Sequence, residues 1–208
     1  MNDNENMNSA AAVPGGAGDP QQAQPIRPSL CFYHPSTKGT GCALKMNLHP
    51  AHDYTDGSIM VKVANQMTVG DLRGPNPTFP RFDWENPICV KLDFSDLCKM
   101  LQVLRGECES LEDGHGLFHR SPVGLTKIVL RHLLDPVPGY SFELYRTSSN
   151  GEESRAHVFF SPWEALGIAE AIAGSMSVIC FGIPMVIPHD TSAYKQASQG
   201  VMRHVRAA

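Results

Sequence analysis

Residues 88–106 read Ile-Cys-Val-Lys-Leu-Asp-Phe-Ser-Asp-Leu-Cys-Lys-Met-Leu-Gln-Val-Leu-Arg-Gly. Two periodicities meet inside this stretch. Ile88, Val90 and Leu92 alternate with Cys89, Lys91 and Asp93, a period of two that gives a strand one buried and one wet face. From Ser95 onward the spacing changes. Ser95 is suited to cap a helix, Asp96 favours the positive end of the helix dipole, and Leu97, Met100, Leu101 and Leu104 form one apolar stripe. Arg105-Gly106 is a stop signal. A half-wet strand running straight into an amphipathic helix is the pattern of an α+β chain, strands and then a helix.

Working outward, the same alternation recurs upstream. Cys42, Leu44, Met46 and Leu48 alternate with Ala43, Lys45, Asn47 and His49, and Ile59, Val61 and Val63 with Met60, Lys62 and Ala64. The proline- and glycine-rich stretch from Gly70 to Pro80 predicts a loop, with a short strand around Phe79–Trp84. Downstream, strands are expected over Gly116–His119, Leu125–Leu134, Tyr140–Arg146 and Arg155–Phe160. Turns fall at Pro136–Gly139 and Ser148–Gly151. A second helix opens at Ser161-Pro162-Trp163-Glu164, a capping box with proline at the first helical position. The chain thus reads as strands then a helix, twice over, a repeat of architecture without repeated letters.

The second helix is apolar on nearly every side, from Ala165 through Phe181, and such a helix requires burial on more than one side. Packing on the sheets with one side and on another subunit with the other satisfies this. A membrane span is the minor reading: Ala171 to Ile187 is 17 uncharged residues, short for a bilayer, and Glu170, the capped start and the many small residues oppose it.

The chain has 208 residues, 42 % hydrophobic and 18 % charged, with a net charge of -4. This is globular composition, enough for one medium domain. Residues 1–28 read as a disordered leader without the apolar run of a signal peptide, and 188–208 as a flexible basic tail. Between them, 29–187 carries 13 basic and 17 acidic residues, so a basic surface must be a segregated one. The six cysteines form no C-x-x-C pair and read as reduced thiols of a cytoplasmic or nucleoid-associated protein, Cys42 and Cys98 as small core residues.

The wet positions of the strands repeat a cation. Lys45, Lys62 and Lys91 occupy them in the first half, and Lys127 and Arg131 in the second. Arg155 and His157 extend the row from the last strand. A single outward lysine is an ordinary solvated residue; repetition over several strands predicts a basic sheet face. Aromatic residues fall near these rows: Phe32-Tyr33, Phe82-Asp83-Trp84, Phe118-His119 and Tyr145. Cations for phosphates with rings for bases is the chemistry of single-strand binding. For each ring singly, burial in the core is the commoner use.

Several segments resemble the Whirly single-stranded-DNA-binding proteins, whose fold is shared with mitochondrial guide-RNA-binding proteins and, more distantly, PC4-like coactivators. Lys38-Gly39-Thr40-Gly41-Cys42-Ala43-Leu44 is similar to that family's Lys-Gly-Lys-Ala-Ala-Leu signature, with one extra residue and Thr40 in place of the second lysine. Phe82-Asp83-Trp84, Ser95-Asp96-Leu97, Phe118-His119, the Lys127 strand, Gly139–Leu144 and Ser161–Glu164 follow in the family's order, from about residue 30 to 182. The resemblance implies two four-stranded antiparallel sheets packed nearly perpendicular, each followed by a helix. It also implies a homotetramer with helices at its centre and single strands running along the sheet edges.

Enzyme signatures do not appear. Lys38–Gly41 lacks the P-loop spacing, and neither a nucleophile elbow nor a paired-carboxylate motif is present. His49, His52 and Asp53, and separately His115 and His119, lack the further ligands at signature spacing that zinc requires. The expectation is therefore a non-enzymatic single-stranded nucleic-acid binder without metal, cofactor or small-molecule substrate, most readily for DNA. The nucleic-acid contacts are expected from Lys38, Lys45, Lys62, Trp84, Lys91, Phe118, Lys127, Arg131 and Arg155. RNA binding or annealing on the same fold is the nearest alternative. An oligomeric interaction protein that has kept the fold without nucleic acid is the other, favoured by the acidic core.

Overall fold

The alternating stretches become strands and the two stripe-bearing stretches become helices in a computed structural model describing residues 29–52, 55–71, 73 and 75–182. The leader over 1–28, Asp53, and everything expected after residue 182 lie outside the described residues. The elements are β1 (Ser29–His34), β2 (Cys42–His49), β3 (Ser58–Thr68), β4 (Arg81–Phe82), β5 (Ile88–Leu92), α1 (Phe94–Leu104), β6 (Leu117–Ser121), β7 (Gly124–Leu133), β8 (Gly139–Ser148), β9 (Glu153–Phe160) and α2 (Pro162–Phe181).

Both sheets are antiparallel meanders. In the first, β1, β2 and β3 pair in order, and the fourth row is made of two short strands on β3. β5 pairs Ile59–Val63, and β4 pairs the region of Gln66 and Thr68 after a shift in register. The second runs β6-β7-β8-β9. Each is followed by a helix, so the expected architecture of two four-row sheets and two helices is the one observed.

One local expectation is corrected and one strand was not expected: β1 carries no clean alternation in the sequence. It forms because its backbone completes the edge beside β2, with Phe32 turned inward onto Phe160 at 5.7 Å between ring centroids. Helix α1 starts earlier than Ser95. Asp93 is the N-cap, its carboxylate accepting from the Asp96 N–H at 3.0 Å, while the Asp96 carboxylate accepts from the Asp93 N–H at 3.1 Å. A carboxylate competes as well as a hydroxyl for this role, and Asp93 has the extended backbone that a cap requires.

One hydrophobic cluster joins the inner faces of both sheets to both helices. Leu44, Val61, Val63 and Leu92 from the first sheet meet Ile128, Leu130, Phe142 and Leu144 from the second, with Leu97 and Ile172 from the helices. Cys42 lies in this core, but Cys98, on the outer flank of α1, is only half-buried, contrary to expectation. The β9 edge is blunted by side chains of the first sheet: Asn65 Nδ2 donates to the Arg155 carbonyl at 3.1 Å, and the Cys42 thiol to that of His157. α2 buries Ala165, Ile168, Ala169, Ile172 and Ile179 along one side only. Its opposite side leaves Trp163, Leu166 and Phe181 exposed.

Candidate nucleic-acid interface

The face of the first sheet turned away from the core is built in rows. Cys31, Lys45, Lys62 and Cys89 stand side by side across four strands, and the next row is Ser29, Asn47, Met60 and Lys91. The row on the other side of the lysines holds Tyr33, Ala43 and Ala64. No aspartate or glutamate occupies any of these positions. Lys45 and Lys62 are direct cross-strand partners, and neither they nor Lys91 form an ion pair among the described residues. Two like charges directly opposite destabilise a sheet. In a chain whose central region is net acidic, an acid-free face with juxtaposed lysines is a segregated cationic surface.

At the Tyr33 end of that face an aromatic cleft of about 450 Å³ opens, lined by Tyr33, Met67, Pro80, Phe82 and Trp84 among others. Tyr33 is 58 % exposed and Trp84 36 %; Trp84 is a surface ring and not a plug of the core. The Tyr33 and Phe82 rings lie 5.7 Å apart, tilted by 57°. Lys38 sits at the same end, in the β1–β2 turn. That turn is organised by Gln66, a residue that belongs to no motif and that sequence reasoning missed. The Gln66 side chain accepts from Ser36 N at 2.7 Å and Gly41 N at 3.1 Å, and donates to the carbonyls of Ser36 at 3.1 Å and Thr68 at 3.0 Å. A β-carbon on Gly41 would fall 2.2 Å from the His34 carbonyl oxygen and 2.4 Å from Gln66 Oε1, so only glycine fits there.

The outer face of the second sheet carries the remaining expected residues. Phe118, Lys127, Tyr145 and Arg155 form one row across β6, β7, β8 and β9. Rings and cations alternate along it, with the Lys127 ammonium 5.4 Å from the Phe118 centroid and the Arg155 guanidinium 5.0 Å from that of Tyr145. These are cation–π distances. The adjacent row is Val129, Glu143 and His157.

Glu143 changes the reading of this face. Its side chain is 7 % exposed and accepts from Arg131 at 3.3 Å, from Ser141 at 3.4 Å, and from Tyr145 and Arg155. Burial works against its charge, but the hydrogen bonds from Tyr145 and Arg155 and the charges of Arg155 and His157 outweigh it and hold the carboxyl below its usual range. Conversely the bond to Glu143 raises Tyr145 above the usual phenol value. Arg131 and Arg155, expected as free phosphate contacts, are therefore engaged with an internal counter-ion. Glu143 lies at an outward position of the alternating Tyr140–Arg146 stretch, and that parity is the signal by which it is found.

A second depression, beside α1, is lined by Asp96, Lys99, Glu112 and His119 among others. Four of its side chains pair with one another, Lys99 with Glu112 at 2.6 Å and His119 with Asp96 at 3.0 Å. Among the described residues no group of three or more His, Cys, Asp or Glu is arranged to hold a metal ion. The nine expected contact residues thus divide between two surfaces. Lys45, Lys62, Lys91, Lys38 and Trp84 gather on or beside the first sheet, and Phe118, Lys127, Arg131 and Arg155 on the second.

No protein-family model matches the sequence, and no curated protein matches it. Solved structures do match in fold. WHY1 from Arabidopsis thaliana superimposes with a TM-score of 0.58 at 15 % identity, over 76 % of this chain and 94 % of that one. The plant transcriptional regulator PBF-2 gives 0.57 at 15 % identity, over 76 % and 84 %. A guide-RNA-binding protein complex bound to a guide RNA gives 0.51 at 15 % identity, over 73 % and 91 %. The resemblance of the sequence motifs to Whirly proteins therefore holds at the level of the fold.

Proposed function

We propose, on the premise of that shared fold, that this chain is a non-enzymatic single-stranded nucleic-acid-binding protein of low sequence preference. The observation that carries the reading is the Lys45–Lys62 pair with Lys91 beside it on a sheet face without carboxylates. An anion lying across the pair relieves the repulsion, and a phosphate chain supplies such anions at regular spacing. The exposed rings of Tyr33 and Trp84, with the half-buried Phe82 beside them, open at the end of the same face and offer stacking surface to unpaired bases. The second sheet, with its arginines tied to Glu143, contributes mainly through Lys127 and Phe118.

DNA is the ligand suggested by the resemblance to Whirly proteins. RNA is the specific alternative, supported by the fold match to a protein solved with a guide RNA. The exposed flank of α2, with Trp163 at 81 % and Phe181 at 87 %, supports assembly through that helix into a tetramer. α2 also has the length and composition to cross a membrane; purification of the chain without detergent would exclude that reading. The cytoplasm or its nucleoid is the compartment that suits this activity.

Fluorescence anisotropy with labelled single-stranded DNA, single-stranded RNA and duplex DNA at two or more salt concentrations tests the reading. Lys45→Ala with Lys62→Ala is expected to weaken single-strand binding uniformly across sequences. It is also expected to reduce the salt slope by about 0.7 for each phosphate no longer neutralised. Trp84→Ala is expected to weaken binding by about 1–3 kcal/mol with the salt slope nearly unchanged. Failure of the unaltered protein to bind any strand would turn the reading toward an interaction protein.

A further inference from the structure

The cleft at the Tyr33 end of the first sheet is lined by two exposed charged side chains, Arg81 and Glu85. Neither forms an ion pair among the described residues, with each other or with any third group. The third charged residue of the cleft, Asp83, is engaged: its carboxylate accepts from Asn86 N at 3.0 Å and from Asn86 Nδ2 at 3.2 Å. The cleft therefore offers exposed rings, one unengaged carboxylate and one unengaged guanidinium.

Resting on the proposed single-strand binding, we infer that this cleft is a base-reading subsite selective for guanine. Glu85 accepts from the base edge, Tyr33 and Trp84 supply stacking surface, and Arg81 holds the neighbouring phosphate. The chemistry follows from what a carboxylate can do. It is acceptor-only, with two oxygens side by side. Guanine's Watson–Crick edge presents N1–H and N2–H side by side and matches both oxygens. Adenine and cytosine present a single amino group next to an acceptor nitrogen. Thymine and uracil present one N–H between two carbonyl oxygens, which a carboxylate repels. In a duplex that edge is occupied by the pairing partner, so the same contact also rejects double strands. A carboxylate beside a phosphate track opposes binding unless a base satisfies it, and discrimination arises from that opposition. Arg81 suits the phosphate, since its planar fork carries several donors.

The test compares an oligothymidine strand with strands of the same length carrying one internal deoxyguanosine, deoxyadenosine, deoxycytidine or deoxyinosine. Inosine lacks only the N2 amino group. One guanine is expected to tighten binding about fivefold, the lower end for a bidentate base contact at an exposed site. Adenine, cytosine and inosine should each change it less than about twofold, since each lacks one of the two donors. In Glu85→Gln, with its melting temperature checked against the parent, the guanine-to-thymine ratio is expected to fall close to one. Inosine equal to guanine, no advantage for guanine, or an advantage that survives Glu85→Gln overturns the inference while leaving single-strand binding intact. Absence of binding to every strand overturns both together.

Discussion

Glu143 and Cys42 show how burial sets the chemistry of single residues. Because its partners hold the Glu143 carboxyl below its usual range, ionised Glu143 favours the folded state. That contribution is complete above the unfolded carboxyl value of about 4.3. It is lost as pH falls through the lower, folded value. Melting curves between neutral and acidic pH are expected to show a steeper loss of stability for the parent than for Glu143→Gln; parallel curves would contradict this. Cys42 is pushed up to about 11 by burial, and its thiol donates to the His157 carbonyl, a bond that only the protonated form can make. Its thiol therefore stays protonated and unreactive near neutral pH. Brief treatment of the native protein with an alkylating reagent, followed by peptide mass spectrometry, is expected to mark the exposed Cys108 and Cys180 and to spare Cys42. Modification of Cys42 at a comparable rate would mean that the core opens more readily than its packing indicates.

At the scale of elements, the start of α1 separates two readings of one sequence. Ser95 and Asp93 both satisfy the preference for a small polar cap, and the backbone selects Asp93. Asp93→Ala is expected to cost about 1 kcal/mol, within the usual range for a lost N-cap, and Ser95→Ala only a few tenths. Urea denaturation of the two variants measures this directly, and the reverse ranking would place the cap where sequence spacing alone puts it. The capping box of α2 needed no such arbitration. Ser161 N donates to Glu164 Oε2 at 2.9 Å, and Glu164 Oε1 lies 3.2 Å from His34 Nε2, tying the helix start to β1. β1 itself was not legible, because an edge strand with one covered ring and several half-wet residues carries no clean alternation.

At the scale of the whole molecule, the unanswered surface is α2. Along its buried side Ala165, Ile168, Ala169, Ile172 and Ile179 fill the core; the other side presents Trp163, Leu166 and Phe181 to solvent. Light scattering on the purified chain is expected to give a mass of several subunits, four by the resemblance. Leu166→Glu is expected to shift it toward a monomer, since a charge in an apolar contact between copies is costly. A monomer at micromolar concentration would instead leave this flank to a different partner, and extraction only with detergent would assign it to a membrane. The candidate interface shows the same division between readable and unreadable features. Lys45, Lys62, Lys91 and Lys127 were found because outward parity is written in the strand alternation. The state of Arg131 and Arg155 was not, because it depends on which carboxylate stands across the ladder.

By itself, the sequence determined the order of the strands after β1 and of both helices, the faces they turn inward, the N-terminal cap of α2 and the outward position of each cation. All of these follow from local periodicity and side-chain chemistry, which act over a few residues. The tertiary structure decided what neighbouring strands bring together: Lys45 against Lys62, Glu143 among Arg131, Tyr145 and Arg155, Gln66 in the turn of Lys38, and Tyr33 beside Phe82. Cross-strand register joins residues far apart in the chain. The charge state and engagement of a side chain depend on those neighbours, so the chemistry of each face became definite only when the sheets were paired.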